Sequence, residues 1–144
     1  MAKYDVLQSH VEALLAEVLD VERVQVGDRR EVPVEWEDVQ IAVRLRVDGG
    51  HHHAEVFGFA VHQVGLDPGL LEELNTLNRR ACRARVFWAY DSVVVAGEVD
   101  AERTSAQDLS ELCGEVAGWV RNQGPRLAAK YGGFCPHDGE EEAA

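Results

Sequence analysis

Apolar side chains recur three and four residues apart at the start of the chain. Leu7, Val11, Leu14, Leu15, Val18 and Leu19 share one helical face, with Glu12 and Glu17 opposite, so an amphipathic helix is expected over 3–19. The period then falls to two. Val24 and Val26 alternate with charge and amide, which allows a short strand ending at Gly27 and Asp28 in addition to those below. In 31–37, Val32, Val34 and Trp36 alternate with Glu31, Pro33 and Glu35, and Pro33, lacking an amide donor, marks an edge strand. Residues 39–47 give the cleanest strand, with Val39, Ile41, Val43, Leu45 and Val47 on one face and Gln40, Ala42, Arg44 and Arg46 on the other. A loop built on Gly49 and Gly50 is expected over 48–53, followed by a strand over 54–64 that is apolar on both faces and suits the centre of a sheet.

Asp67 followed by Pro68 reads as a helix start, a capping carboxylate and then a proline where its missing amide costs nothing. Leu70, Leu71, Leu74 and Leu77 continue that helix to about residue 78. Two β-branched and aromatic runs follow, 83–90 and 93–99, joined tightly at Asp91 and Ser92. Thr104 or Ser105 caps a last helix striped by Leu109, Leu112, Cys113, Val116, Val120 and Leu127. Gly124 and Pro125 should kink or restart it. The order α-β-β-β-α-β-β-α, with hairpin-length connections, defines an α+β fold in which helices pack on a mostly antiparallel sheet of about five strands. One domain is expected over 1–133, with an acidic tail over 134–144.

A length of 144 residues suits a single core, and a net charge of -12 changes the list of partners. Nucleic acid and anionic membrane are disfavoured, because phosphate binding needs a basic patch that this acidic surface lacks. No apolar run reaches the roughly 18 residues of a membrane span, and the N-terminus enters a helical pattern directly, so neither a leader nor a membrane helix is expected. The three cysteines, Cys82, Cys113 and Cys135, are odd in number and form no CxxC unit, which points to a reducing cytoplasm.

Catalytic chemistry finds little support. His51, His52 and His53 could ligate a transition metal, but adjacent ligands on a loop tip do not organise a tetrahedron, and a solvated turn is the simpler reading. Cys113 could be a nucleophile with His10, His62 or His137 as base; its place on an apolar stripe makes it a small core residue instead. Paired acids such as Glu72 and Glu73 are common in so acidic a chain, and no phosphate-binding glycine motif is present. No catalytic residue, metal or cofactor is therefore expected. Arg79, Arg80, Arg83 and Arg85 form a local cationic cluster, suited to a helix C-terminus or to an anionic ligand. The aromatics exceed what one sheet face can bury, and Phe87 and Trp88 must point to opposite sides. Trp36, Phe57, Phe59, Phe87 and Trp88, with Arg83 and Arg85, are the expected partner-binding residues.

The element order resembles the type III secretion chaperone-like fold, including the YbjN-type proteins. The local match is Leu74-Asn75-Thr76-Leu77-Asn78, then Arg83, Val86 and Phe87, then Val93-Val94-Val95. That resemblance implies a non-enzymatic, cytoplasmic binder of a protein or peptide client, often a homodimer, with Asn75 and Asn78 tying the helix to the strand. The rival reading is a small anionic-ligand-binding protein or enzyme with a pocket between sheet and last helix, gripped by Arg83 or Arg85.

Overall fold

A computed structural model of the chain describes residues 2–81 and 83–136; Met1, Cys82 and 137–144, with the acidic run of the expected tail, lie outside them. The elements are α1 (Lys3–Leu19), β1 (Val32–Trp36), β2 (Val39–Asp48), β3 (His51–His62), α2 (Pro68–Asn78), β4 (Ala84–Ala89), β5 (Ser92–Asp100) and α3 (Ala106–Tyr131). The five strands form one antiparallel sheet in the order β1-β2-β3-β5-β4, so the doubly apolar β3 is its middle strand. This is the expected α+β order.

Alternation decides which face is covered. Val32, Val34, Val39, Ile41, Val43, Ala54, Val56, Val86, Val93 and Val95 all turn to one side and are buried there by the helices. α3 supplies Leu109, Leu112, Cys113, Val116, Val120 and Leu127, and α1 adds Leu7, Val11 and Leu15. Each large side chain so enclosed stabilises the fold by about 1.5–3 kcal/mol before entropy is set against it. Two strand glycines let α3 come close: a Cβ at Gly97 would lie 2.7 Å from Leu112 Cδ1, and one at Gly58 3.1 Å from Val120 Cγ2.

α2 begins as its sequence dictates. Asp67 Oδ1 accepts from the Gly69 and Leu70 amides at 2.7 and 3.3 Å, and Leu70, Leu74 and Leu77 are buried. Glu73 then ties α2 to α3, accepting from Arg126 Nη1 at 2.8 Å, from the Tyr131 hydroxyl at 2.7 Å and from Lys130 Nζ. Those donors, Lys130 first, hold its carboxyl at about 2, well below the usual range.

The structure corrects four local expectations. Residues 20–31 contain no strand: on a strand Val24 and Val26 would share a face, whereas Val24 is buried and Val26 is 42% exposed. The segment instead lies along α1, where Gln8 Nε2 donates to the Arg30 carbonyl at 3.1 Å. The histidines are not a loop; Gly49 and Gly50, with φ of 56° and 82°, complete the turn alone, and His51, His52 and His53 pair with Asp48, Val47 and Arg46. The second hairpin turns on Tyr90 and Asp91, with φ of 51° and 57°, leaving Ser92 as the first buried residue of β5. Finally, α3 is continuous through Gly124 and Pro125. Gly124 sits against β3, where a Cβ would be 2.7 Å from the Ala60 carbonyl oxygen, and the buried Val120 and Leu127 anchor the helix on both sides of the proline. One backbone bond is given up, and packing on either side outweighs it.

Ser105 is the cap of α3, its Oγ accepting from the Asp108 amide at 3.1 Å. Past Gly133 the chain is still held: Phe134 and His62 exchange backbone hydrogen bonds of 2.8 and 2.9 Å, and Cys135 is buried.

Candidate functional site

All three helices lie on one side of the sheet, and the other side faces outward. Its middle rows can be read from the strand register: Ala42, Phe57, Ala96 and Arg85 side by side, then Phe59, Val94 and Phe87. Phe59 and Phe87 are 38% and 42% exposed, which is costly for phenylalanine on a surface of a chain this acidic. The next row is charged, Arg44, Glu55 and Glu98 in register.

Along β3 the rings form a continuous stripe. Phe57 and Phe59 meet edge to face at 6.4 Å, Phe59 and His62 at 4.9 Å, and His62 and Phe134 at 5.5 Å. Partial burial lowers the pKa of His62, so its ring stays neutral near pH 7 and the stripe stays uncharged. Nδ1 of His62 lies 3.3 Å from Ser92 Oγ, which fixes the ring's orientation.

Charged groups border the stripe. The Arg44 guanidinium lies 4.8 Å from the centre of the Phe57 ring and donates to Glu55 at 2.7 Å. Arg46 pairs with Glu98 and lies within 4 Å of Glu55 and Asp48. Between this border and Phe87, over Ala96 and Gly97, is a hollow of about 300 Å³ walled by Arg46, Glu55, Arg83, Arg85 and Glu98.

Neither edge of the sheet is open along its length. Each outer hairpin has a two-residue turn, so the residues that close it exchange both backbone bonds and the next pair does not. In β4 that alternation turns Ala84, Val86 and Trp88 outward, and Asn78 occupies the middle rung. Its Nδ2 donates to the Val86 carbonyl at 2.9 Å, and its Oδ1 accepts from the Val86 amide at 2.8 Å. In β1 the same alternation turns Pro33 outward, where it offers no donor. Strand addition is thus hindered at the Val86 rung of one edge and at Pro33 of the other.

The residues expected to bind a partner are thus divided. Phe57, Phe59, Phe87 and Arg85 share the outward face. Trp36 and Trp88 are half-buried on the helix side, Trp36 beside Gly114 of α3 and Trp88 donating its indole N–H to the Val64 carbonyl at 2.9 Å. Arg83 is drawn towards α3, 3.3 Å from Glu111. Asn78 makes the tie that the resemblance implied, while Asn75 stands exposed on α2. Sequence reasoning missed His62, Phe134, Val94 and Ala96. His62 and Phe134 lie far apart in the chain, and only the fold brings them together.

The other candidates fall elsewhere. Cys113 is fully buried under the sheet, and burial pushes its thiol up to about 12. Among the described residues no cluster of three or more His, Cys, Asp or Glu is arranged to hold a metal ion. The space between sheet and α3 is filled by Leu109, Leu112, Val116 and Val120, so Arg83 and Arg85 border the outward hollow and not an interior pocket.

The sheet thus has one aromatic face open and the other covered by helices, and the class of protein follows from the family that this chain matches. The chain belongs to the family described as T3SS (YopN, CesT) and YbjN peptide-binding chaperones, whose model matches residues 5–138. No curated protein matches it by sequence. Solved structures that share its fold include three complexes. The ExsC-ExsE complex contains a chain 12% identical, with a TM-score of 0.59 over 85% of this chain and 96% of that one. The complex of the Yersinia pestis type III secretion chaperone SycH with a stable fragment of YscM2 contains a chain 14% identical, with a TM-score of 0.57 over 80% of this chain and 97% of that one. The HopA1-SchA chaperone-effector complex gives 12% identity and a TM-score of 0.60 over 81% and 94%. The family is of chaperone type, and no helix among the described residues is long and apolar enough to cross a membrane.

Proposed function

We propose that the outward face of the sheet, centred on Phe57, Phe59 and Phe87, holds a segment of a client polypeptide and that the protein performs no chemistry on it. The observation that carries this reading is the pair of exposed phenylalanines, Phe59 and Phe87, in one row of the sheet face left open among the described residues, in a family of peptide-binding chaperones. A client laid across the rings would remove them from water, and the charged border of Arg44, Arg46, Glu55 and Glu98 would set its register. The solved relatives are chaperones or complexes of two proteins, which supports a protein client here. The buried Cys113 thiol supports a non-enzymatic role, and the odd cysteine count supports residence in the cytoplasm.

The test is a double substitution, Phe59→Ser with Phe87→Ser, assayed by fluorescence anisotropy against short labelled peptides of alternating leucine and serine. Both rings are well exposed, so the fold should survive, as circular dichroism would verify. Binding by the natural chain that weakens at least about tenfold in the variant is the expected result. Equal binding by both proteins would place the client elsewhere.

A further inference from the structure

We propose that Arg85 receives an acidic side chain of the client, two residues along from the client's bulky apolar anchor. This rests on the outward face being the peptide site, and it adds the chemistry that site would select. The other guanidiniums around the hollow already have carboxylates: Arg44 has Glu55, Arg46 has Glu98, and Arg83 has Glu111. Arg85 donates only to the neighbouring Ala84 carbonyl at 2.9 Å and meets no carboxylate among the described residues. In a chain with 26 acidic residues against 14 basic ones, an arginine left over on the apolar face is a specific vacancy for negative charge.

Geometry adds the spacing. Arg85 and Phe87 stand two apart on β4 and so project from the same face, roughly 6.5 Å from each other along the strand. Opposite Arg85 is Ala96, too small to fill the space, and the hollow lies over it. An extended client has the same two-residue repeat. With a leucine-like side chain over Phe87, its next downward side chain enters the hollow beside Arg85, where a carboxylate can accept a forked pair of hydrogen bonds. The molecule's overall charge of -12 would by itself favour a basic client. A preference for an acidic one would therefore be local in origin.

Three peptides test this, identical leucine-serine repeats with glutamate, glutamine or lysine in place of one central leucine, titrated against the natural chain, Arg85→Glu and Phe87→Ser. The natural chain should bind the glutamate peptide about tenfold more tightly than the lysine peptide, with glutamine between, and Arg85→Glu should reverse that order. Phe87→Ser should weaken all three together. Equal binding of the three peptides by the natural chain, or an order that Arg85→Glu leaves unchanged, overturns the role of Arg85 while the peptide site stands. Failure of all three peptides to bind overturns both. So does a dimer that Phe87→Ser dissolves in sedimentation and that excludes the peptides, because a second copy would then be the occupant.

Discussion

Glu73 is one carboxylate with three donors, and its behaviour with pH follows from them. Its pKa is about 2 in the folded chain against an ordinary 4.5, so its contribution to stability is complete above 4.5 and is lost as pH falls towards 2. The donors are largely exposed, so solvent screening keeps the contribution of the cluster small. In denaturant titrations across that interval, Glu73→Gln should be less stable than the natural chain at neutral pH and should show a flatter loss on acidification. A parallel pair of curves would remove Glu73 from the account. Single residues were unevenly legible in the sequence. Asp67 and Pro68 act locally and could be assigned from their neighbours, whereas Phe134 gains its place by pairing with His62 across the fold. The sequence points to a turn on Asp91 and Ser92, one residue past the true pair Tyr90 and Asp91, because a tyrosine with φ of 51° defies turn preferences.

At the scale of elements, Asn78 and Gly124 carry the sharpest consequences. Asn78 stands in for a neighbouring strand at the middle of β4, satisfying both polar groups of Val86. Asn78→Ala should cost about 1–2 kcal/mol in denaturant unfolding and should raise the tendency to associate, since it frees an edge rung. Unchanged stability would mean that water replaces the amide without loss. Along α3, Gly124→Ala drives a methyl towards the Ala60 carbonyl and should destabilise by about 1–3 kcal/mol, while Gly118→Ala, with nothing within 4 Å, should stabilise by up to about 1 kcal/mol. Melting temperatures that shift in the same direction for both would contradict the close approach of α3 to β3. Elements with long, regular patterns, α1 and β2, were legible because burial and periodicity agree. Pro125 misled because a sequence shows the broken hydrogen bond but not the buried residues on either side that keep the helix whole.

For the whole molecule, the decisive asymmetry is between the two sides of one sheet. The alternation in β2 already separates the sides, and the surplus of aromatic residues already requires some of them to be left uncovered. Which ones remained hidden until the helices were placed: Trp36 and Trp88 went under them, and Phe57, Phe59 and Phe87 did not. Amide chemical-shift mapping by NMR, with a leucine-serine peptide added to the labelled chain, tests this directly. Shifts concentrated at Phe57, Phe59, Phe87, Val94 and Ala96, with α1 and the solvent side of α3 silent, are the expected result; shifts gathered on the helices, with the phenylalanine face unmoved, would contradict it.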